Sequence, residues 1–129
     1  MQDLKQTIIA YYKEKNLSPS EISKDLEGIK LKVLDDIVDD DKEYVIKKSG
    51  QLEEYKDYKI MKSIENAAHD AQIQLNSSDI NIISSSILKR MKAIERNVYP
   101  TSELKSFVEE ALKKDGYIKV LKAYLSYVE

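Results

Sequence analysis

Only one stretch of this 129-residue chain departs from helical periodicity, and that stretch decides the class of fold. Tyr44-Val45-Ile46 is a run of aromatic and β-branched residues, Ser49-Gly50 is a turn signal, and Leu52 and Tyr55 resume a strand pattern. Such side chains suit a pleated surface, and a glycine-bearing turn between two such runs reads as a β-hairpin. Elsewhere apolar residues recur every three or four positions, the spacing that gathers them on one face of a helix. The expected class is therefore α+β, mostly α: N-terminal helices, one β-hairpin, then a four-helix bundle.

Local signals divide the helical parts. Leu4, Ile8, Ile9 and Tyr12 predict a helix over 3–15. In Ser18-Pro19-Ser20-Glu21, Ser18 is placed as N-cap, Pro19 at the first helical position and Glu21 as the capping-box acid. Ile22, Leu26, Ile29, Val33 and Ile37 follow on one face. Gly28 is expected to split this segment in two, since glycine inside a helix costs about 1 kcal/mol. Asp35, Asp36 and Asp39–Asp41 oppose the dipole at a helix C-terminus, so the helix should stop near Val38. After the hairpin, Asp57 is read as the cap of a helix burying Ile60, Ile64, Ala67, Ala68 and Ala71. Asn76-Ser77-Ser78 opens a second helix, with Ile80, Ile83, Ile87, Met91 and Ile94 inward. Pro100 ends a loop and Thr101 is read as the N-cap of a third helix carrying Leu104, Val108, Ala111 and Leu112. Gly116 closes it, and the last helix uses Val120, Leu121, Tyr124 and Val128.

Composition removes several chemistries. Without cysteine there is no disulfide, zinc–thiolate site or thiol catalysis. The single histidine, His69, stands beside Asp70 on a polar helix flank and reads as solvated. No nucleophile pairs with a matched base, so the chain is read as non-enzymatic. With 3 Gly and 2 Pro it holds neither GxxxxGK[ST] nor GxGxxG, so a nucleotide would need another device. Ser84-Ser85-Ser86 reads as a close helix contact or a polar face, and the 9 tyrosines as core residues with a polar tip. No apolar run approaches the roughly 20 residues of a membrane span, and the N-terminus lacks a signal-peptide core. A cytoplasmic protein is expected.

Charge is unevenly shared. Residues 1–45 carry 7 Lys against 11 Asp and Glu, whereas 46–129 carry 14 Lys and Arg against 12. The second part is the better host for a polyanion. A triphosphate needs cations converging from several elements, which Lys47 or Lys48, Lys59 and Lys105 could supply. Strand alternation would send one of Lys47 and Lys48 outward and the other towards the helices.

Taken in order, VIKKSGQLEEYKDYKIMKSIENAA and VYPTSELKSFVEEALKKDGYIKVLKAYLSYVE are similar to the ATP-cone family. Its domains stand at the N-terminus of many ribonucleotide reductases and follow a zinc ribbon in the bacterial repressor of reductase genes. The resemblance rests on Val45-Ile46-Lys47-Lys48-Ser49-Gly50, Lys59-Ile60, Pro100-Thr101 through Glu109, and Ala123-Tyr124-Leu125-Ser126-Tyr127. It implies a free-standing ATP-cone over 43–129 behind an acidic helical appendage over 1–42. It further implies ATP or dATP as effector, with or without Mg2+, and allosteric control of a ribonucleotide reductase subunit or related protein, or of self-association. Val45 and Ile60 would flank the adenine; Glu53, Lys56 and Thr101 would line it; Lys47, Lys48 and Lys59 would meet the phosphates. Two departures are visible. The basic pair is Lys-Lys where the family usually has Lys-Arg, which loses a bidentate fork. The final turn is Val128-Glu129 where the family carries Arg or Lys.

Two alternatives stand beside this reading. Residues 4–56 can be arranged as a winged helix-turn-helix, with helices over 4–15, LSPSEISKDL and 29–38 and the hairpin as wing. The aspartates of its recognition helix would repel DNA phosphates, which argues against a nucleic-acid partner. The other alternative is a degenerate cone kept as a protein-interaction module.

Overall fold

The computed structural model describes residues 3–38 and 41–127. The chain is α+β and mostly helical, and it divides into two compact units, Met1–Asp39 and Asp40–Glu129.

The first unit holds α1 (Leu4–Lys13) and α2 (Pro19–Ile37). Asp3 caps α1 by accepting from the Gln6 backbone N–H at 2.8 Å, a capping box formed by Asp3 and Gln6. Ser18, Pro19 and Glu21 begin α2 as their types dictate, and Val38 caps its end. Gly28 does not divide the helix, contrary to expectation: α2 runs unbroken for 19 residues. One glycine is a small cost against a ladder of that length, and nothing lies within 4 Å of the position its Cβ would take. Gly28→Ala is accordingly expected to stabilise the protein by about 0.5–1 kcal/mol, read as a rise in Tm on thermal denaturation. The apolar face is also corrected. Ile22 and Leu26 are half-buried, but Ile29, Val33 and Ile37 are 41%, 49% and 71% exposed, while Leu31 and Leu34 are half-buried instead. Helical spacing sets two apolar rows on nearly opposite sides of α2, and periodicity alone does not choose between them. A winged helix-turn-helix needs a third helix at 29–38 and a hairpin in the same unit; the continuous α2 supplies no third helix, and the hairpin belongs to the second unit.

In the second unit β1 (Tyr44–Ile46) and β2 (Leu52–Glu54) form the expected antiparallel hairpin, with Val45 opposite Glu53. Tyr55 lies just past β2. A third strand, β3 (Val98–Pro100), pairs parallel to β1, giving the order β2-β1-β3. Pro100 is tolerated there because β3 is an edge strand. Four helices follow from or frame this sheet: α3 (Asp57–Asp70), α4 (Ser77–Ile94), α5 (Thr101–Lys114) and α6 (Ile118–Tyr127). Helix α3 packs on α6, α4 on α5, and α5 on α6. Ile64, Ile83, Ile87, Met91, Val108, Leu112 and Val120 are shielded between them, with Tyr99 and Phe107 in edge contact. Val128 and Glu129 lie outside the described residues. Gly116 follows α5 at φ +84°, the left-handed conformation that ends a helix and favours glycine.

The caps differ from the sequence reading in an instructive way. Helix α4 opens on Asn76 with Asp79 in a full capping box. Asp57 does not cap α3: it is the first helical residue, and its carboxylate accepts from Tyr55 Oη at 3.0 Å and from buried Ser84 Oγ at 2.8 Å. That bond explains a serine in the isoleucine-rich face of α4, while Ser86 donates to Asp115. Thr101 does not cap α5 either; it too is the first helical residue, and Oγ1 donates to the Ile46 carbonyl at 3.0 Å. Helices α3 and α5 thus begin without a side-chain cap.

Candidate functional site

The uncapped first turns of α3 and α5, the hairpin and one residue of α6 enclose a cleft of about 420 Å³, a size suited to a small-molecule ligand. Each element delivers its side chains for a local reason. Val45 lies in the centre of β1 and is half-buried. Lys47 and Lys48 follow the last residue of β1, in the turn and not in the strand. Strand alternation therefore does not separate them, as had been expected, and both line the cleft. Glu53 comes from β2 opposite Val45, Lys56 immediately precedes α3, and Lys59 and Ile60 stand one turn apart from it. Thr101 and Lys105 come from successive turns of α5. All nine residues named from the sequence are brought to this one place.

Two ion-pair systems organise the lysines. Glu53 Oε1 lies 2.9 Å from Lys47 Nζ, and Oε2 lies 3.7 Å from Lys59 Nζ. The hydrogen bond from Lys47, reinforced by the charges of both lysines, holds the Glu53 carboxyl below the usual carboxylate range against a smaller opposing effect of burial. Lys56 pairs with Glu54 at 3.5 Å. Lys48 and Lys105 have no ion-pair partner among the described residues. Five lysines against two glutamates leave the cleft cationic.

Sequence reasoning missed five lining residues: Glu54, Tyr55, Ser63, Leu104 and Tyr124. Leu104 and Tyr124 are buried and widen the apolar wall begun by Val45 and Ile60. Burial, with the charge of Glu109 behind it, pushes the Tyr124 hydroxyl up to about 12, so it stays protonated and can donate. Tyr55, raised by burial and by Asp57, already donates to Asp57. Tyr124 belongs to the Ala-Tyr-x-x-Tyr run and was legible there as a motif residue, though only as a core one. His69 is exposed, as expected.

Chemically the cleft offers an apolar wall, converging cations and two helix starts whose first N–H groups no side chain satisfies. Such N-termini favour anions. Among the described residues no group of three or more His, Cys, Asp or Glu could hold a metal ion. No described helix is long and apolar enough to cross a membrane. A protein-family model described as the ATP cone domain matches residues 43–129. No curated protein matches the chain.

Proposed function

The chain belongs to the ATP-cone family, a family of nucleotide-binding regulatory domains, and from that membership we propose that the cleft takes ATP or dATP as an effector. The observation that carries the placement is convergence: cations, apolar wall and uncapped helix starts from β1, β2, α3 and α5 meet in one cleft. In this reading the adenine enters between Val45 and Ile60, beside Glu53, Lys56 and Thr101. Thr101 uses its hydroxyl hydrogen on the Ile46 carbonyl and keeps its lone pairs for the ligand. Lys47, Lys48, Lys59 and Lys105 meet the phosphates, with Mg2+ carried in on the phosphate oxygens.

The cone occupies residues 43–129 and residues 1–42 form an acidic appendage suited to a protein contact. Control follows from differential affinity. A nucleotide that binds one assembly state better than another shifts the population towards it. The regulated protein is a ribonucleotide reductase subunit or a related partner, reached through the appendage or through self-association.

Thermal shift with ATP, dATP, ADP and GTP, each with and without Mg2+, tests this directly. ATP and dATP are expected to raise Tm by about 10 °C when present at a hundredfold excess over Kd, and GTP by less. A Tm unmoved by all four would favour the degenerate interaction module.

A further inference from the structure

We propose that the first unit is a dimerisation element, in which the exposed Ile29, Val33 and Ile37 row of α2 packs antiparallel against the same row of a second copy of this chain. The inference goes beyond the nucleotide reading and does not depend on it.

The unit is too small to hold itself. Met1–Asp39 is about forty residues long, and units of that size usually need a disulfide, a metal or association with another chain. The chain has no cysteine, and no cluster among the described residues could hold a metal ion. Association is what remains. Burial says the same: among the described residues Tyr12 is the one buried residue of α1, and α2 has none.

The uncovered surface has a definite place. Leu31 and Leu34 are half-buried on one side of α2, as are Ile22 and Leu26 on the other. Beyond Leu26 that second side continues as Ile29, Val33 and Ile37, all exposed, Ile37 most of all. Isoleucine and valine are weak helix formers, so nothing local favours them at exposed helical positions, whereas burial in a contact does. Residues four apart form a ridge on a helix, and two such ridges interlock when helices pack.

Charge identifies the occupant. Lys32 and Asp36 lie one turn apart on one edge of the row, and neither makes an ion pair among the described residues. Around a two-fold axis at Val33, antiparallel pairing keeps that edge beside its own copy and reverses its direction. Asp36 of the second copy then lies within two residues of Lys32 along the helix, about 3 Å. The same pair forms a second time in the opposite sense, so the surface is complementary to itself. Ile29 meets Ile37 of the second copy at both ends, and Val33 meets its own equivalent. A parallel pair would instead bring Lys32 beside Lys30 of the second copy, like charge against like.

Sedimentation velocity on the full chain without nucleotide, from about 1 µM to about 1 mM, reads the association over the range expected of a small contact. A monomer–dimer equilibrium is expected. Val33→Lys sets two like charges on the axis and should weaken it about a hundredfold or more. Lys32→Glu or Asp36→Lys alone should weaken it about three- to tenfold. The two together should restore it to within about twofold, because the pair re-forms with its signs exchanged. All three positions are exposed, and circular dichroism checks that each variant keeps its helices. A chain monomeric at every concentration overturns the proposal and leaves the row to another protein. A dimer indifferent to Val33→Lys overturns it too, since the copies would then meet through another face. A double exchange that leaves the dimer as weak as the single ones overturns the antiparallel arrangement. The response of Tm to ATP decides the nucleotide reading separately, whichever of these results is found.

Discussion

Replacing Lys47 and Lys59 together by alanine is expected to abolish the ATP-dependent rise in Tm. Both lysines line the cleft, and they approach it from different elements, which no single remaining cation can reproduce. A hydrogen bond to a charged group contributes about 1.5–3 kcal/mol, so losing two weakens binding by roughly a hundredfold or more. The empty variant should melt close to the unaltered protein, because both lysines are about half exposed and surface ion pairs contribute little. Thermal shift of the variant with and without ATP reads both quantities at once. An ATP response of unaltered size would show that the phosphates lie elsewhere.

The largest structural effect is expected at Tyr99. Its side chain is 1% exposed, its ring meets Phe107 edge-on at 6.3 Å, and its hydroxyl donates to the Met91 carbonyl at 2.8 Å. The same oxygen accepts from the Arg96 backbone N–H at 3.3 Å. One residue of β3 therefore fastens the end of α4, the loop that follows it and the middle of α5. Removing so large a buried aromatic leaves a cavity, takes one of two donors from the Met91 carbonyl and takes the acceptor from the Arg96 N–H, and Tyr99→Ala should cost about 3–5 kcal/mol. Against a typical total of about 5–15 kcal/mol, that threatens folding at physiological temperature. Urea titration measures it, and Tyr99→Phe, which keeps the packing and loses the hydrogen bonds, should cost about 1–3 kcal/mol.

What the sequence made legible follows the range of the forces involved. The hairpin, the start of α2 at Ser18-Pro19, the Asn76 break and the end of α5 at Gly116 are set by residues a few positions apart, and each forms as read. The inward faces of α3, α4 and α5 follow from spacing alone. Strand β3 was missed because three residues ending in proline carry no alternation of their own; their partner is β1, more than fifty residues earlier. Asp57 and Thr101 were misread for a related reason. Each is a good capping type at a helix start, but each spends its side chain on a distant group, Ser84 in one case and Ile46 in the other. The N-cap positions fall instead on Lys56 and Pro100, neither of which offers a side-chain acceptor. Eight of the nine cleft residues named in advance came from the resemblance, which fixed their order, and Lys105 came from the need for converging cations. Tyr124 and Leu104 were legible only as core, since nothing in their spacing says that a core face ends at a cavity wall.

The parallel pairing of β1 with β3 has a consequence for the newly made chain. Lys47 is synthesised 54 residues before Thr101, and Tyr124 later still. At about 5–20 residues per second, the hairpin lysines wait roughly 3–10 s for the opposite wall of their cleft. During that interval the first half of the domain has cations and no apolar enclosure. With the nucleotide site placed in this cleft, as proposed above, recognition cannot begin with the hairpin alone and waits until α5 has emerged and β3 has paired with β1. On that proposal a chain truncated before residue 98 is expected not to respond to nucleotide, so responsiveness would report that the domain has been completed.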